Sequence, residues 1–221
     1  TLTVTATSPL SAQIDAMDVD PATSTLYVAA SSADRILAFG EDGLVADWYV
    51  GRHPAGVAVL PERNQVAVLL RGEARLALVD GAGERVAEYT TGLNPIGLTL
   101  HAAEERLYAG DLVLDLATGV TRTLQAPTIY GDAEPPVRVT LDTRRGRAYA
   151  IAFNGVAGTN GGNVVTRLAD DGSADPGAPA PGGLGVLQLL YDPEADRFLA
   201  VTARLTEYAL HVSDAETLHE V

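Results

Sequence analysis

The sequence has no cysteine and no lysine, and it has a single methionine (Met17) and a single tryptophan (Trp48). The missing thiols exclude disulfides, thiolate zinc centres, cysteine nucleophiles and cysteine-linked haem. All 15 basic residues are arginine, which reflects a GC-rich coding bias because no motif asks for arginine at so many places. Against them stand 29 acidic residues, for a formal net charge of −14. A chain so poor in positive charge lacks the basic face that nucleic acid requires, and it gains nothing from an anionic lipid surface. The acidic residues are spread along the chain, which makes solubility their plain reading. No apolar run approaches the roughly 18 residues of a membrane span, so the chain reads as not membrane-embedded. Since Met17 is the only methionine, the chain as given carries no initiator. A removed leader and a fragment are the two readings of that start.

What is present is a repeat. A polar turn between two apolar segments recurs across the 221 residues. It begins at Asp20-Pro21, Leu60-Pro61, His101-Ala102, Asp142-Thr143 and Asp192-Pro193. The second residues of these pairs are separated by 40, 41, 41 and 50 positions. The longer last interval coincides with a Gly/Pro/Asn-rich stretch, 154–185, that reads as inserted loop and is long enough to reach a partner.

Each copy predicts a strand before the turn (14–19, 56–60, 96–100, 137–141 and 186–191) and another directly after it. A third strand is predicted at 35–39, 76–79, 112–114, 164–168 and 208–212, followed by Asp/Gly-rich turns suited to hairpins. A fourth, more polar strand is visible at 44–50, 85–90 and 120–124. Four short strands per unit of about 40 residues is the pattern of a β-propeller blade, in which stacking buries both faces of each sheet. The fold class predicted is all-β, one propeller domain over 1–221. Its blades lie near 13–50, 54–91, 95–126, 136–182 and 185–221, and 1–10 is an outer or closure strand. Residues from 217 onward compete for the same outer position. Two arrangements therefore stay open, a closed five-bladed ring and part of a larger ring such as a seven-bladed one.

The run from Asp20-Pro21 to Leu26-Tyr27-Val28-Ala29 resembles the YVTN-type repeat of lactonase-like and NHL-like propellers. Gly51-x-x-Pro54-x-Gly56-Val57 and Gly92-x-Asn94-Pro95-x-Gly97-Leu98 are similar to its second half. The likeness covers about 15–124 well and the remainder weakly, and Ala30 stands where the tetrad usually ends in Asn. The resemblance implies a blade, an extracytoplasmic setting (periplasm, cell surface or secreted) and no particular chemistry.

Propellers bind ligands at the channel mouth, where the loops before the first strands meet those joining second to third strands. On those loops the candidates are Arg52, His53, Asn94, Arg71, Glu134, Arg138, Asn154 and Arg204, with Asp34, Glu73, Arg75 and Asp111 beside them. Arg52-His53-Pro54 is the sharpest of these, as an anion clamp or a general base. The plain alternative is a solvated loop whose Pro54 and Gly56 fix a turn. No His pair has zinc spacing. By resemblance to lactonase-type propellers, Glu134, Asn94, Asn154 and Asp111 would supply oxygen ligands for calcium. The segment from Asp170 to Asp175 has closely spaced carboxylates, but hairpin extension is its simpler reading. Trp48 reads as an aromatic packed between blades, with an exposed contact as the alternative.

The leading expectation is a non-catalytic binding or scaffold protein, with a protein partner or a place as subunit of an assembly and no cofactor. The alternative is a lactonase-type hydrolase with a divalent metal at the channel mouth. A carbohydrate-binding propeller is a third possibility.

Overall fold

The computed structural model describes residues 11–124, 137–152, 164–169, 173–175, 185–204 and 207–219. Among these residues nineteen strands form five sheets, each running in sequence order from one neighbour to the next. The first sheet holds β1 (Ile14–Asp20), β2 (Thr25–Ala30), β3 (Arg35–Gly40) and β4 (Gly43–Trp48). The second holds β5 (Pro54–Leu60), β6 (Gln65–Leu70), β7 (Arg75–Asp80) and β8 (Arg85–Thr90). The third holds β9 (Leu98–His101), β10 (Arg106–Ala109), β11 (Leu112–Asp115) and β12 (Thr121–Thr123). In the fourth are β13 (Val137–Asp142), β14 (Arg147–Ala152), β15 (Val164–Leu168) and β16 (Ala174–Asp175). The fifth has three strands: β17 (Val186–Asp192), β18 (Arg197–Arg204) and β19 (Glu207–Asp214).

The turns explain the aspartates. Asp142 Oδ1 accepts the backbone N–H groups of Arg144 and Arg145, and Asp192 Oδ1 accepts those of Glu194 and Ala195. Asp80, Asp115 and Asp214 do the same for the turns after their strands. A carboxylate that satisfies two turn amides replaces the ladder bonds the backbone gives up on reversing direction. The recurring turn has a second signature. Ser24, Asn64, Glu105, Gly146 and Asp196, each three residues past the repeat's reference position, all have positive φ, between 48° and 62°. Only one of the five is glycine, so sequence composition alone does not reveal this shared left-handed residue.

One strand is added to the sequence reading and one expectation is corrected. The fourth sheet has an outer strand, β16, which its two-residue length hides from pattern reading; it is held by Arg167 Nη2, 2.6 Å from Asp175 Oδ2. The strand expected from 217 does not form over the described residues. Asp214 instead closes a turn over Ala215–Thr217 through the N–H and hydroxyl of Thr217 and the N–H of Glu216, and Leu218 turns left-handed at φ 59°.

The chain divides into two compact units, one of Thr1–Glu73 with Ala77–Glu88 and one of Ala74–Leu76 with Tyr89–Val221. In the first unit the core joins Ala16, Tyr27, Ala29, Ile36 and Trp48 of the first sheet to Val57, Val66, Val68, Leu70, Ala77 and Val79 of the second. In the second unit, Tyr108, Val113 and Leu124 pack on Val139, Leu141, Ala148, Ala150 and Leu168. Tyr149, Ile151 and Val165 then pack on Val186, Leu189, Tyr191, Phe198 and Ala200. A polar bond between leading strands accompanies each contact. The Val59 N–H donates to Asp18 Oδ2 at 2.8 Å. Thr99 Oγ1 donates to the Val139 carbonyl at 2.7 Å, and Thr140 Oγ1 to that of Leu189 at 2.8 Å. Trp48 takes the packed reading. Its ring lies 5.9 Å from that of Tyr27 and against Gly83, where a Cβ would come within 2.7 Å of Cδ2.

Candidate functional site

The loops before the first strands are fastened to the loops between second and third strands, as the repeat implied. The Arg71 N–H donates to the His53 carbonyl at 3.0 Å and the Gly72 N–H to that of Arg52 at 3.2 Å. The same bond joins Ser31 to Gln13 and Ala203 to Gly185, both at 2.9 Å. In the third sheet the Gly110 N–H plays this part toward Gly97.

Around Arg52 and His53 the fastening is strongest, and carboxylates supply it. The Arg52 N–H donates to Glu73 Oε1 at 2.8 Å. The His53 N–H donates to Asp34 Oδ1 at 2.7 Å while His53 sits at φ 51°. A bond from a backbone amide to an ionised acceptor is shorter and stronger than a neutral one. Glu73 is itself held by Arg85, whose Nη2 lies 3.1 Å from Oε2 and whose Nε donates to the Val50 carbonyl at 2.7 Å. Burial opposes the charge on Arg85, but bonds to Glu88 and Glu73 outweigh it and hold the guanidinium above its ordinary pKa. Gly51 makes room for this arrangement. Its φ is +136°, and a Cβ there would run into Arg85 Nη2 and stand 2.7 Å from Leu70 Cδ1.

The side chains this scaffold presents are exposed. Arg52 projects from the loop with no partner for its guanidinium among the described residues. The His53 ring is 44% exposed, and its Nε2 lies 3.6 Å from Asp15 Oδ2. Asp15 is in turn oriented by Gln13 Nε2 at 2.7 Å. The loop therefore offers one permanent cation on a fastened backbone and one imidazole beside a carboxylate, a combination that suits an anionic group more than a bound metal.

The predicted site residues fall on the following elements. Arg52, His53 and Arg71 belong to this one cluster, Arg71 through its backbone N–H. Asn94 occupies the position of His53 in the next repeat, also left-handed at φ 55°, in a loop where the Gly92 N–H donates to Asp111 Oδ1 at 2.6 Å. That bond commits one Asp111 oxygen expected for calcium. Arg138 is exposed on β13 opposite Ile151. Arg204 ends β18 opposite Glu207. Glu134 and Asn154 lie outside the described residues. Among the described residues no group of three or more His, Asp or Glu side chains is placed to hold a metal ion, and no helix is long and apolar enough to cross a membrane.

Two residues escaped the sequence reading. Leu93, 81% exposed, holds the position of Arg52 in the following repeat. Its offset from Gly92 and Pro95 was the available signal. Asp15, the partner of His53, lies 38 residues away in the sequence, and no spacing marks it.

No family model matches the chain, and no curated protein matches it in sequence. Solved structures do. Kuenenia stuttgartiensis hydrazine synthase matches 92% of this chain at 13% identity and a TM-score of 0.71. The nidogen/laminin complex matches 94% at 14% identity and a TM-score of 0.63. Selenomethionine-substituted virginiamycin B lyase from Staphylococcus aureus matches 89% at 14% identity and a TM-score of 0.59. The chain spans 63%, 78% and 69% of those three chains respectively, less than two thirds of the hydrazine synthase chain. Identities this low carry the fold alone, and the fold is that of the β-propellers.

Proposed function

We propose that the chain is a non-catalytic binding module of YVTN-type repeats, acting outside the cytoplasm and contacting a carboxylate of a protein partner through Arg52 and His53. The observation that carries this reading is the exposed Arg52, whose guanidinium has no partner among the described residues, on a loop whose backbone is locked by Glu73 and Asp34. A loop whose backbone is already fastened loses little freedom on binding, and the planar fork of arginine suits carboxylates. The likeness to nidogen in its complex with laminin supports a protein partner. The extracytoplasmic setting follows the habit of YVTN-type propellers.

Calorimetry with a glutamate-rich peptide tests the reading. Arg52→Ala is expected to weaken binding at least tenfold and His53→Ala by less. Affinity indifferent to Arg52 overturns it. Titration with calcium and manganese distinguishes the metal-dependent hydrolase. One-site cation binding together with turnover of a lactone would replace the binding reading.

A further inference from the structure

The turns between first and second strands hold a cation in the second unit. Arg145, on the turn of the fourth sheet, lies 3.1 Å from the buried Asp142 of its own turn. It meets Asp196, on the turn of the fifth sheet, through two bonds of 2.8 Å. The Tyr191 hydroxyl closes the surround by donating to Asp196. This chain therefore builds a seat for a guanidinium from the turns of two neighbouring sheets.

The first unit repeats the seat with threonine in place of the arginine. Counted along the repeat, Asp20 stands where Asp142 does, Thr23 for Arg145, Val59 for Tyr191 and Asn64 for Asp196. Thr23 is too short to cross to the next sheet. It turns back on its own turn, its Oγ1 donating to Asp20 Oδ2 at 2.9 Å. Val59 fills less space than a tyrosine. The result is a cleft of about 230 Å³, open to solvent, between the turns of the first and second sheets. Asp20, Tyr27, Asn64 and Gln65 bring polar atoms to it, and no arginine lines it. Asp20 Oδ1 accepts the Ala22 N–H and Oδ2 the Thr23 hydroxyl, which leaves each oxygen a second lone pair. Burial, then the charge of Asp20, pushes the Tyr27 phenol up, so it stays a neutral hydroxyl able to accept.

We infer that this cleft binds a guanidinium group from outside the chain, with Asp20 in the part of Asp142 and the Asn64 carbonyl in that of Asp196. The same positions of the same repeat already hold that group in the second unit, which fixes the chemistry. A carboxylate and an amide oxygen on opposite walls match two edges of a planar fork, whereas an ammonium is a point charge without that shape. Asn64 gives one neutral acceptor where Asp196 gives a charge, so the hold is weaker than that on Arg145. The net charge of −14 draws cations toward the chain. The group can come from a small free guanidine or from an arginine side chain of a partner. The inference uses none of the residues of the Arg52 loop.

Amide NMR of the whole chain tests it, with methylguanidinium chloride titrated against sodium chloride at matched ionic strength. Saturable shifts are expected at Asn64, Gln65 and Gly81, with a Kd of about 1–10 mM. Asp20→Asn keeps an oxygen for the turn amide and removes the charge, and should weaken binding about tenfold. Asn64→Asp supplies the second carboxylate and should tighten it about fivefold. Thr23→Arg provides the guanidinium from within, as Arg145 does, and should abolish binding. Methylammonium should bind about fivefold more weakly than methylguanidinium. Circular dichroism checks each variant, and Thr23→Arg carries the test where Asp20→Asn does not fold. Shifts that fail to saturate, or that sodium chloride reproduces, overturn the inference. So does binding undiminished in Asp20→Asn or Thr23→Arg, or methylammonium binding as tightly. An acetyl-Gly-Arg-Gly-amide peptide separates the sources. If it binds as tightly as methylguanidinium, the group is a partner's arginine; if only methylguanidinium binds, it is a small free guanidine.

Discussion

Arg145 holds Asp196 through two parallel hydrogen bonds, Nη1 to Oδ1 and Nη2 to Oδ2, both 2.8 Å, across 51 residues of sequence. Arg145 also reaches Asp142 Oδ2 at 3.1 Å, and Tyr191 donates its hydroxyl to Asp196 Oδ1 at 2.8 Å. The group ties the turn of the fourth sheet to that of the fifth. The bonds from Arg145, then from Tyr191, hold the Asp196 carboxyl well below the usual carboxylate range. Burial, then the bond to Asp196, pushes the Tyr191 phenol up to about 12.

The pH dependence follows in sign. Asp196 is more acidic folded than unfolded, where an aspartate titrates near about 3.9. Its contribution is whole above that value and is lost as pH falls below it toward the folded pKa. Tyr191 is less acidic folded, so its share is whole below about 10 and is lost as pH rises toward the folded value. Asp196→Asn keeps the size and tolerates the left-handed backbone at φ 53°. It is expected to lower Tm at pH 7 by roughly 3–6 °C. The gap from wild type should begin to narrow as calorimetric scans are taken below about pH 4. A gap that stays constant with pH would show that the carboxylate charge is not the source.

Gly51 and Gly43 separate backbone strain from crowding. Both have positive φ, +136° and +117°, but a Cβ at Gly43 meets nothing within 4 Å. Gly43→Ala is expected to cost about 1–2 kcal/mol from the backbone alone. Gly51→Ala adds a collision with Arg85 and the fully buried Leu70, and is expected to cost about 3 kcal/mol or more in urea unfolding. Because Arg85 positions Glu73, and Glu73 holds the Arg52 N–H, Gly51→Ala should also weaken binding of the glutamate-rich peptide. Gly43→Ala should not.

The repeat was legible because the apolar strand, polar turn and apolar strand each leave a composition signal at a fixed interval. The turn aspartates were visible for the same reason, each being the residue that satisfies the amides of its own turn. Legibility failed where a short-range signal was missing. β16 is too short to show alternation, and the left-handed position in the recurring turn is occupied by Ser, Asn, Glu, Gly and Asp in turn. At the candidate site, the Arg52-His53-Pro54 loop was legible from its residue types. Asp34 and Glu73 were visible only as loop acids, because their task is to fasten backbone amides 19 and 21 residues away. No local pattern encodes that.

Trp48 makes a local test of packing possible, since it is the only tryptophan. Its ring rests against Gly83, which has φ +83°, and a Cβ there would come within 2.7 Å of Cδ2. Gly83→Ala is expected to push the indole away from Tyr27 and into water. The emission maximum should move to longer wavelength and Tm should fall. Unchanged emission with a lowered Tm would mean that the turn absorbs the strain and the ring stays in place.

Tyr149 is fully buried, and its hydroxyl is buried with no hydrogen-bond partner among the described residues. The ring itself is well placed, edge-on to Phe198 at 5.1 Å between centroids and 76° between planes. An unsatisfied buried hydroxyl forfeits its bonds to water without replacement, so removing it relieves a cost while the ring contact stays. Tyr149→Phe is therefore expected to leave stability unchanged or raise it by about 1 kcal/mol in urea unfolding. His101 is the informative contrast. Its Nε2 is also buried without a hydrogen bond, but Glu104 Oε1 stands 3.8 Å away, within reach of a small side-chain adjustment. His101→Phe removes the donor that faces Glu104 and should destabilise where Tyr149→Phe does not. A loss of more than about 1 kcal/mol on Tyr149→Phe would show instead that the hydroxyl finds a partner in solution.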